Sequence, residues 1–340
     1  MHFDIEERIF HFRQPAGTSR GVYKVRHSWI LTVSDERYPG RVGRGECAPL
    51  PDLSCDALPD YERVLRGLCE FVEQRGDVDV DLLRPYPSML FGIETALRNL
   101  RHGADIVFDT PFTRGETSIP INGLVWMGSY DEMLSRIDEK IKAGFHCVKL
   151  KIGAIDFEKE IDLIRHIRCS FPEKVIQLRV DANGGFTPDV ALKRLERLSK
   201  YDIHSIEQPI KQRQWKAMAE LCKYSPLPIA LDEELIGVNI PEMKEQLLET
   251  ICPAYIILKP SLHGGLHGFE EWIRLADERG IKHWITSALE SNIGLSAIAQ
   301  FCAHVYGPDI RLHQGLGTGQ LFTDNIPMPL TIKGERLYHY

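Results

Sequence analysis

Five short apolar runs between residues 147 and 260 decide the fold, and each ends on a charged residue: VKLK at 148–151, LRVD at 178–181, SIE at 205–207, IALD at 229–232 and IILK at 256–259. The closing residues are 25 to 30 positions apart, which suits one βα unit per step. In a closed barrel such residues converge above the carboxyl ends of the strands, whereas in an open sheet they would spread along a rim. The interval therefore predicts an α/β fold, a TIM-type barrel of seven or eight units spanning about 118 to 315.

The sequence outside these runs divides the chain into two parts. A further apolar run at 119–125 is predicted to be the first barrel strand, and 282–286 the last. Residues 1–115 show strand-like runs followed by helical spacing, an α+β pattern. We therefore expect an N-terminal α+β domain at 1–115, joined by the C-terminal segment 316–340, and a catalytic barrel at 116–315.

Composition narrows the class of function. The chain has 340 residues, 43% of them hydrophobic and 26% charged, which is typical of a soluble globular protein. A net charge of −7 gives no basic surface for nucleic acid or anionic lipid, so a small-molecule partner is expected. The eight cysteines include no CxxC pair, and no apolar run approaches the ~20 residues that cross a bilayer. We expect a reduced cytoplasmic protein, with its oligomeric state, including a homo-oligomer, left open.

Three carboxylates occupy successive strand ends. Asp181, Glu207 and Asp232 would repel one another if gathered without a cation. A hard divalent ion resolves the repulsion, and all-oxygen ligation suits Mg²⁺, with Mn²⁺ as the substitute. The alternative is three unrelated surface acids, but their common position in the βα repeat disfavours coincidence.

Lysines flank these carboxylates in the predicted barrel. Lys149 and Lys151 lie two apart on one strand and so share a face. An edge strand with a solvated lysine face is the competing interpretation. A second ammonium and a divalent cation nearby would favour the neutral form of Lys151, which makes it a candidate general base. Lys259 would approach from the other side, and the set suits abstraction of a proton alpha to a carboxylate.

These motifs together resemble the enolase superfamily, in its muconate-lactonizing subgroup. The barrel part of the resemblance rests on the motifs KLK at 149–151, RVDAN at 179–183, IEQP at 206–209, LDE at 231–233 and LKP at 258–260, and the N-terminal part on GRGECAP at 43–49 and FGIETAL at 91–97. The similarity spans the whole chain. It implies a modified (β/α)₇β barrel covered by an α+β capping domain.

The resemblance also implies roles for individual residues. Lys151 would be the base with Lys149 beside it, and Lys259 would lie on the opposite face of the substrate. Asp181, Glu207 and Asp232 would hold Mg²⁺, with Glu233 supporting them from behind. Arg179 and Asn183 would line the site near the metal.

The activity implied is a lyase reaction. It is the Mg²⁺-dependent syn-elimination of water from 2-succinyl-6-hydroxy-2,4-cyclohexadiene-1-carboxylate through an enediolate, a step of menaquinone biosynthesis. The alternative within the superfamily is racemisation of an N-acylamino acid or epimerisation of a dipeptide. Dipeptide epimerases carry an acidic DxD pair near the barrel's end, where this chain reads HQGLGTG at 313–319. A third alternative, a scaffold that has lost catalysis, is disfavoured by the intact lysines and acids.

Two loops are candidates for substrate recognition. The segment 15–21 carries Arg20 and is predicted to be a lid that closes on an anionic substrate, with an ordinary glycine turn as the alternative. The segment 287–294 opens a helix whose amides could bind a substrate carboxylate, which makes Ser287, Ser291 and Asn292 candidate contacts. Simple helix capping by Ser291 or Asn292 is the competing interpretation.

Overall fold

The computed structural model describes residues 1–18, 21–153 and 155–340. The chain opens with an antiparallel three-stranded sheet in the order β1-β2-β3, followed by three helices. These elements are β1 (His2–Thr18), β2 (Gly21–Ser34), β3 (Gly43–Cys47), α1 (Tyr61–Arg75), α2 (Val80–Leu83) and α3 (Pro87–His102).

Glycines allow β3 to lie directly on α3. A Cβ at Gly45 would overlap the carbonyl oxygen of Gly92, and one at Gly43 would overlap that of Ala96. Only glycine permits this approach of two backbones. The glycines of the GRGE and FGIE motifs therefore fix how the first sheet packs on its longest helix.

Seven parallel strands, each followed by a helix, form the second and larger part. Their order in the sheet follows the sequence without interruption, from β5 to β11. The strands are β5 (Gly123–Val125), β6 (Cys147–Lys151), β7 (Gln177–Asp181), β8 (Ile203–Glu207), β9 (Ile229–Leu231), β10 (Tyr255–Leu258) and β11 (Lys282–Ile285). The helices are α4 (Tyr130–Lys142), α5 (Phe157–Ser170), α6 (Pro188–Leu198), α7 (Trp215–Tyr224), α8 (Pro241–Ile251), α9 (Gly265–Asp277) and α10 (Asn292–Tyr306).

An eighth, very short strand position closes this sheet into a barrel. Gln314 forms a parallel bridge with Ile121, before β5, and Gly315 forms one with Thr286, after β11. The Gly315 N–H donates to Ile285 O at 2.7 Å, and the Asn122 N–H donates to Gln314 O at 3.0 Å. The predicted fold class, a modified (β/α)₇β barrel with an α+β capping domain, is therefore confirmed.

The predicted first strand at 119–125 is wrong in one respect, because the run is split. Its first two residues form β4 (Ile119–Pro120), which pairs with a C-terminal hairpin of β12 (Leu330–Lys333) and β13 (Arg336–His339). Only β5 joins the barrel sheet. The Ile121 N–H is turned to Glu335 O at 2.8 Å, so a distant hairpin draws the start of the run out of the barrel.

The C-terminal segment contacts both parts of the molecule. The Phe322 ring lies 4.6 Å from that of Phe12 on β1, while β13 pairs with β4 beside the barrel. The division into 1–115, 116–315 and 316–340 stays our proposal. Within the described residues no helix combines the length and the apolar character needed to cross a membrane.

Candidate active site

The register of three neighbouring strands aligns the first part of the site. Lys151 at the end of β6 is paired with Asp181 at the end of β7, and Asp181 with Glu207 at the end of β8. Because parallel strands in a barrel end on the same face, these three side chains form a row across its C-terminal mouth. One layer lower, Lys149 is paired with Arg179.

Asp232 and Lys259 complete the mouth from the following strands. Asp232 directly follows β9 and Lys259 directly follows β10, and the Lys259 ammonium hydrogen-bonds Asp232 Oδ2. Counting β5 as the first of eight positions, β6 is the second and β10 the sixth. Lys151 and Lys259 therefore extend from opposite walls of the barrel.

Lys149 joins two of the carboxylates. Its Nζ lies 2.8 Å from Asp181 Oδ2 and 2.5 Å from Glu207 Oε2. Burial works to lower the pKa of Lys149, but the carboxylates of Asp181 and Glu207 outweigh it and raise that pKa above the ordinary value. Lys149 is thus a fixed cation, poorly suited to accept a proton.

Two acids sharing one ammonium differ in their acidity. Burial opposes ionisation of Asp181, yet the ammonium groups of Lys149 and Lys151 hold the pKa of Asp181 below the usual range. Burial and the repulsion of Asp181 raise the pKa of Glu207 well above its usual value. A further positive charge is needed for both carboxylates to be ionised together.

Lys151 has a less constrained environment than Lys149. Its ammonium donates to Asn183 Oδ1 at 2.7 Å and lies 3.4 Å from Asp181 Oδ2. Its exposed fraction is 8%, and its Nζ lies 5.8 Å from the centre of the Trp126 ring. This geometry leaves Lys151 at the edge of the carboxylate row, with an aromatic face on one side.

The acids of this row fit a hard cation. Glu207 Oε1, Asp232 Oδ1 and Glu233 Oε2 are buried and have no hydrogen-bond partner among the described residues. Buried carboxylate oxygens left without a donor are costly unless a cation or water satisfies them. Within the described residues, no group of three or more acidic, histidine or cysteine side chains is arranged to hold a metal ion. The Lys149 ammonium contacts both Asp181 and Glu207, and the Lys259 ammonium contacts Asp232. The oxygen donors nonetheless match the chemistry of Mg²⁺.

Gln208 is a supporting residue that sequence reasoning missed. Its Oε1 accepts the backbone N–H groups of Asp232 at 3.1 Å and Glu234 at 3.2 Å, and its Nε2 donates to Glu234 Oε2 at 3.1 Å. These bonds tie the end of β8 to the end of β9, and so set Glu207 relative to Asp232. Gln208 has a φ of 37°, in the left-handed region. Its position directly after Glu207 is the sequence feature that could have indicated its role.

Asn183 and Glu233 take part in the same supporting network. The Asn183 backbone N–H donates to Asp181 Oδ1 at 2.9 Å, and its Nδ2 donates to Glu233 Oε1 at 3.0 Å. Burial, followed by the charges of Asp232 and Asp181, raises the pKa of Glu233 to about 7. Asn183 thereby connects Lys151 with the acids behind the row.

Trp126 is the second residue that the sequence analysis missed. It directly follows β5, and because Val125 pairs with Leu150, Trp126 lies level with Lys151 at the end of β6. Its ring packs against an apolar cluster that includes Leu50 and Leu289, and this cluster covers the site from the capping side. The strand ends are 25 to 30 residues apart, and position 126 lies 25 residues before Lys151, so the same spacing would have identified Trp126.

Arg179 has contacts that differ from the predicted ones. Its guanidinium donates to His313 O at 2.9 Å and lies 4.3 Å over the ring of Trp284 inside the barrel. These contacts place it below the carboxylate row, and they support a packing role. Its prediction as a substrate contact gains no support from them.

The loop after β11 and the start of α10 show both of the contacts that were expected as alternatives, helix capping and carboxylate binding. Ser291 caps α10, with its Oγ accepting the Ile293 N–H, but the N–H groups of Ser291 and Gly294 donate to Glu46 of β3 at 2.9 and 2.8 Å. The helix terminus does bind a carboxylate, which belongs to the protein. Ser287 bonds Thr318 Oγ1 at 2.7 Å, and Asn292 donates to Asn325 Oδ1 and Ile326 O. These contacts support structural roles for all three.

The predicted lid at 15–21 is largely part of a hairpin. The backbone of β1 extends to Thr18 and pairs with the start of β2 at Gly21. Arg20 lies outside the described residues, so its role as a substrate contact stays a prediction.

An α/β barrel with two lysines facing each other across a row of acids defines a class of enzyme, one that forms and stabilises a carbanion next to a carboxylate. Comparisons with known proteins agree with this class. The family model for the enolase C-terminal domain-like proteins matches residues 132–337. The o-succinylbenzoate synthase of Desulfotalea psychrophila is 46% identical over 96% of this chain and 95% of its own length. This chain therefore belongs to the o-succinylbenzoate synthase family, which is part of the enolase superfamily. The o-succinylbenzoate synthases are lyases.

Solved structures give the same result. The crystal structure of MenC from Desulfotalea psychrophila has a TM-score of 0.84 and 40% identity, and the match covers 99% of each chain. The o-succinylbenzoate synthase of Thermosynechococcus elongatus, solved with Mg in its active site, has a TM-score of 0.73 and 24% identity, covering 93% of each chain. The resemblance to the enolase superfamily is thus confirmed.

Proposed function

We propose that this chain eliminates water from 2-succinyl-6-hydroxy-2,4-cyclohexadiene-1-carboxylate to give 2-succinylbenzoate, with Lys151 as its single base. The observation that carries the proposal is the placement of Lys151 and Lys259 on opposite walls of the barrel, on either side of Asp181, Glu207 and Asp232. A substrate whose carboxylate is bound at the acids would have Lys151 on one face and Lys259 on the other.

The acids are suited to bind a divalent ion, because several of their buried oxygens have no hydrogen-bond partner among the described residues. Asp181, Glu207 and Asp232 would hold Mg²⁺, and Mn²⁺ would substitute for it. Bound there, the ion would supply positive charge that offsets the negative charge developing on the substrate carboxylate.

Lys151 performs both proton transfers in this mechanism. In its neutral form, Nζ takes the proton alpha to the carboxylate, the C–H bond breaks and the electron pair moves toward the carboxylate as an enediolate. The electron pair then forms the ring double bond, the C–O bond breaks, and Lys151 returns the proton to the departing hydroxyl as water leaves. Because both events occur on one face, the elimination is syn.

Lys259 stabilises charge without transferring a proton. Burial works against its charged form, but the carboxylates of Asp232 and Glu207 outweigh this and raise the pKa of Lys259 above its ordinary value. A lysine held as a cation is suited to electrostatic stabilisation of the enediolate from the opposite face. This inequality of the two lysines favours a one-base elimination over a two-base racemisation.

The surroundings suit a small carboxylate that carries a hydrocarbon ring. The apolar cluster of Phe10, Leu50, Leu262 and Leu289 would face the ring of the substrate. The net charge of −7 disfavours nucleic acid as a partner. All eight cysteines are unpaired, as expected for the reducing cytoplasm, where we place the reaction.

A direct assay tests this proposal. The purified protein is given the cyclohexadiene substrate with Mg²⁺, after EDTA treatment, and after return of Mg²⁺ or Mn²⁺. We expect turnover that EDTA abolishes and either metal restores. Turnover unaffected by EDTA would contradict the metal assignment, and no turnover under any condition would contradict the reaction.

A further inference from the structure

A buried arginine lies where the capping part meets the barrel mouth. Arg26 is on β2 and its exposed fraction is 1%. Its Nη1 and Nη2 donate to the carbonyl oxygens of Pro49 and Ala48, in the loop that follows β3. Its Nε donates to Leu289 O at 3.1 Å and its Nη2 to Ala288 O at 3.4 Å, in the loop that follows β11. One guanidinium therefore joins two loops from the two parts of the molecule.

All four acceptors are backbone carbonyls, so the contact holds the main chain of both loops in place. A bond to a side chain would leave the loop free to move around it, but bonds to the backbone fix the path of the loop itself. Leu289 has a φ of 64°, a strained conformation for a leucine, so this loop requires support from its surroundings.

Glu46 holds the same barrel loop from its other end. Its carboxylate accepts the Ser291 N–H at 2.9 Å, the Ser291 hydroxyl at 2.6 Å and the Gly294 N–H at 2.8 Å. A side chain at position 294 would collide with Glu46 Oε2, so glycine is needed for this approach. Arg26 and Glu46 thus bracket residues 288–294 between two strands of the capping sheet.

Two buried acids partly offset the cost of burying the charge of Arg26, whose pKa burial still lowers. A buried guanidinium is unfavourable unless acidic groups offset its charge. Glu46 on β3 and Glu290 in the barrel loop, both 0% exposed, are the acids that act on Arg26. Glu290 in turn accepts the Ala288 N–H at 2.7 Å and the Ser261 hydroxyl, which adds the loop after β10 to the network.

The two loops joined by Arg26 carry side chains of one apolar cluster beside Trp126, whose ring lies 5.8 Å from Lys151 Nζ. Leu50, Ala288 and Leu289 belong to the apolar cluster that includes Leu262 and packs against Trp126. Any change in the separation of the two loops would alter the space above the carboxylate row.

We propose that Arg26 is a positioning residue that fixes the width of the substrate pocket by holding the loop at 48–49 to the loop at 288–289. The inference rests on the proposed function, because the pocket is the one in which the cyclohexadiene would bind. Arginine is required since its planar fork presents five donors, whereas a lysine ammonium could not reach both pairs of carbonyls from one position.

Arg26→Lys tests this, with Arg84→Lys as the matched control. Arg84 also joins the two parts, through bonds of 2.9 and 2.8 Å to Glu271 on α9 and one of 3.4 Å to Asn239 O, but it makes no contact with the loops at 48–49 and 288–289. Because a lysine ammonium would lose the bonds to one of the two loops, Arg26→Lys should raise KM for the cyclohexadiene about tenfold or more and lower kcat by a smaller factor. Arg84→Lys should leave KM within about twofold of the wild-type value.

Each outcome bears on the proposal. An unchanged KM in Arg26→Lys, or an equal rise in Arg84→Lys, would overturn it. If Arg26→Lys does not fold, Glu46→Gln takes its place with the same expected rise in KM, since the amide cannot accept from all three donors. Failure of both variants to fold would assign the pair to stability alone and overturn the positioning role. Absence of turnover in the wild-type protein assayed beside them would instead contradict the proposed reaction.

Discussion

At the scale of single residues, the carboxylates of Asp181 and Glu207 show why the site needs a cation. Both contact the one ammonium of Lys149, and the pKa of Glu207 is raised while that of Asp181 is lowered. Lys151 also contacts Asp181 and Lys259 contacts Asp232, but two buried acids share the Lys149 ammonium and the pKa of Glu207 stays raised. A divalent ion would let all three be ionised, and this requirement was readable from their spacing in the sequence.

Glu207→Gln should weaken the metal site without loss of the fold. The amide is close in volume to the carboxylate but carries no charge, so the Mg²⁺ concentration giving half-maximal activity should rise by a factor of about ten or more. A titration of activity with Mg²⁺ measures this, and Glu70→Gln, at an exposed position on α1, is the control. Full activity of Glu207→Gln at micromolar Mg²⁺ would rule out the assignment.

The two lysines should respond differently to substitution by arginine. Arginine keeps the positive charge but is a poor base, so Lys151→Arg should lose activity by several powers of ten if each of two proton transfers contributes about 10²-fold. Lys259→Arg should retain more activity, because its charge is what the mechanism uses. Single-turnover rates of the two variants provide the measurement. Equal losses would argue that both lysines act as bases.

Trp126 should matter through its aromatic face. A cation–π contact is worth about 0.5–2 kcal/mol, so Trp126→Leu should lower kcat/KM about 2- to 30-fold, while Trp126→Phe, which keeps a ring, should lose less. Steady-state kinetics of the two variants compare them. If leucine and phenylalanine gave the wild-type kcat/KM, the ring would have no part in catalysis or binding.

At the scale of elements, the strands β6 to β10 were predictable because a charged side chain lies at or directly after the end of each, at a regular interval. The ends of β6, β7 and β8 follow directly from that interval. The split of the run at 119–125 could not be predicted, because it depends on pairing with a hairpin more than 200 residues away. The same holds for Glu46 and α10, where a contact between distant elements decides what the helix terminus binds.

Asp56, in the loop before α1, should make stability depend on pH. It is 1% exposed, its Oδ2 accepts the Ser88 N–H and hydroxyl at 2.8 and 2.7 Å, and burial raises its pKa to about 6. An aspartate in the unfolded chain has a pKa of about 3.9, so between these values the folded state binds the extra proton. The contribution of Asp56 to the unfolding free energy should therefore fall as pH rises from about 4 to about 6.

Urea unfolding of the wild type and of Asp56→Asn across this range measures the effect. The variant cannot ionise, so the difference between the two should change by about 1–3 kcal/mol over the interval. Ser88 can still donate to the amide oxygen, which limits other changes. Parallel pH profiles for the two proteins would show that Asp56 does not titrate as stated.

At the scale of the whole molecule, the capping part and the barrel depend on each other at the site. The barrel supplies every candidate chemical group, whereas the cover over them combines Phe10 and Leu50 with Leu262 and Leu289. The sequence motifs implied both parts, but the contacts that Arg26 makes between them could not be predicted, because its partners are all backbone carbonyls. Substrate choice is thus a property of the assembled molecule.

The most direct test of the central claim compares two reactions of the wild-type protein with Mg²⁺. One is dehydration of the cyclohexadiene carboxylate, and the other is exchange, in D₂O, of the alpha proton of each enantiomer of an N-succinylamino acid. The account predicts dehydration with a kcat/KM on the order of 10⁴ M⁻¹ s⁻¹ or higher, and loss of that activity in Lys151→Ala. Exchange of both enantiomers at such a rate with no dehydration would contradict it, and would identify a two-base racemase.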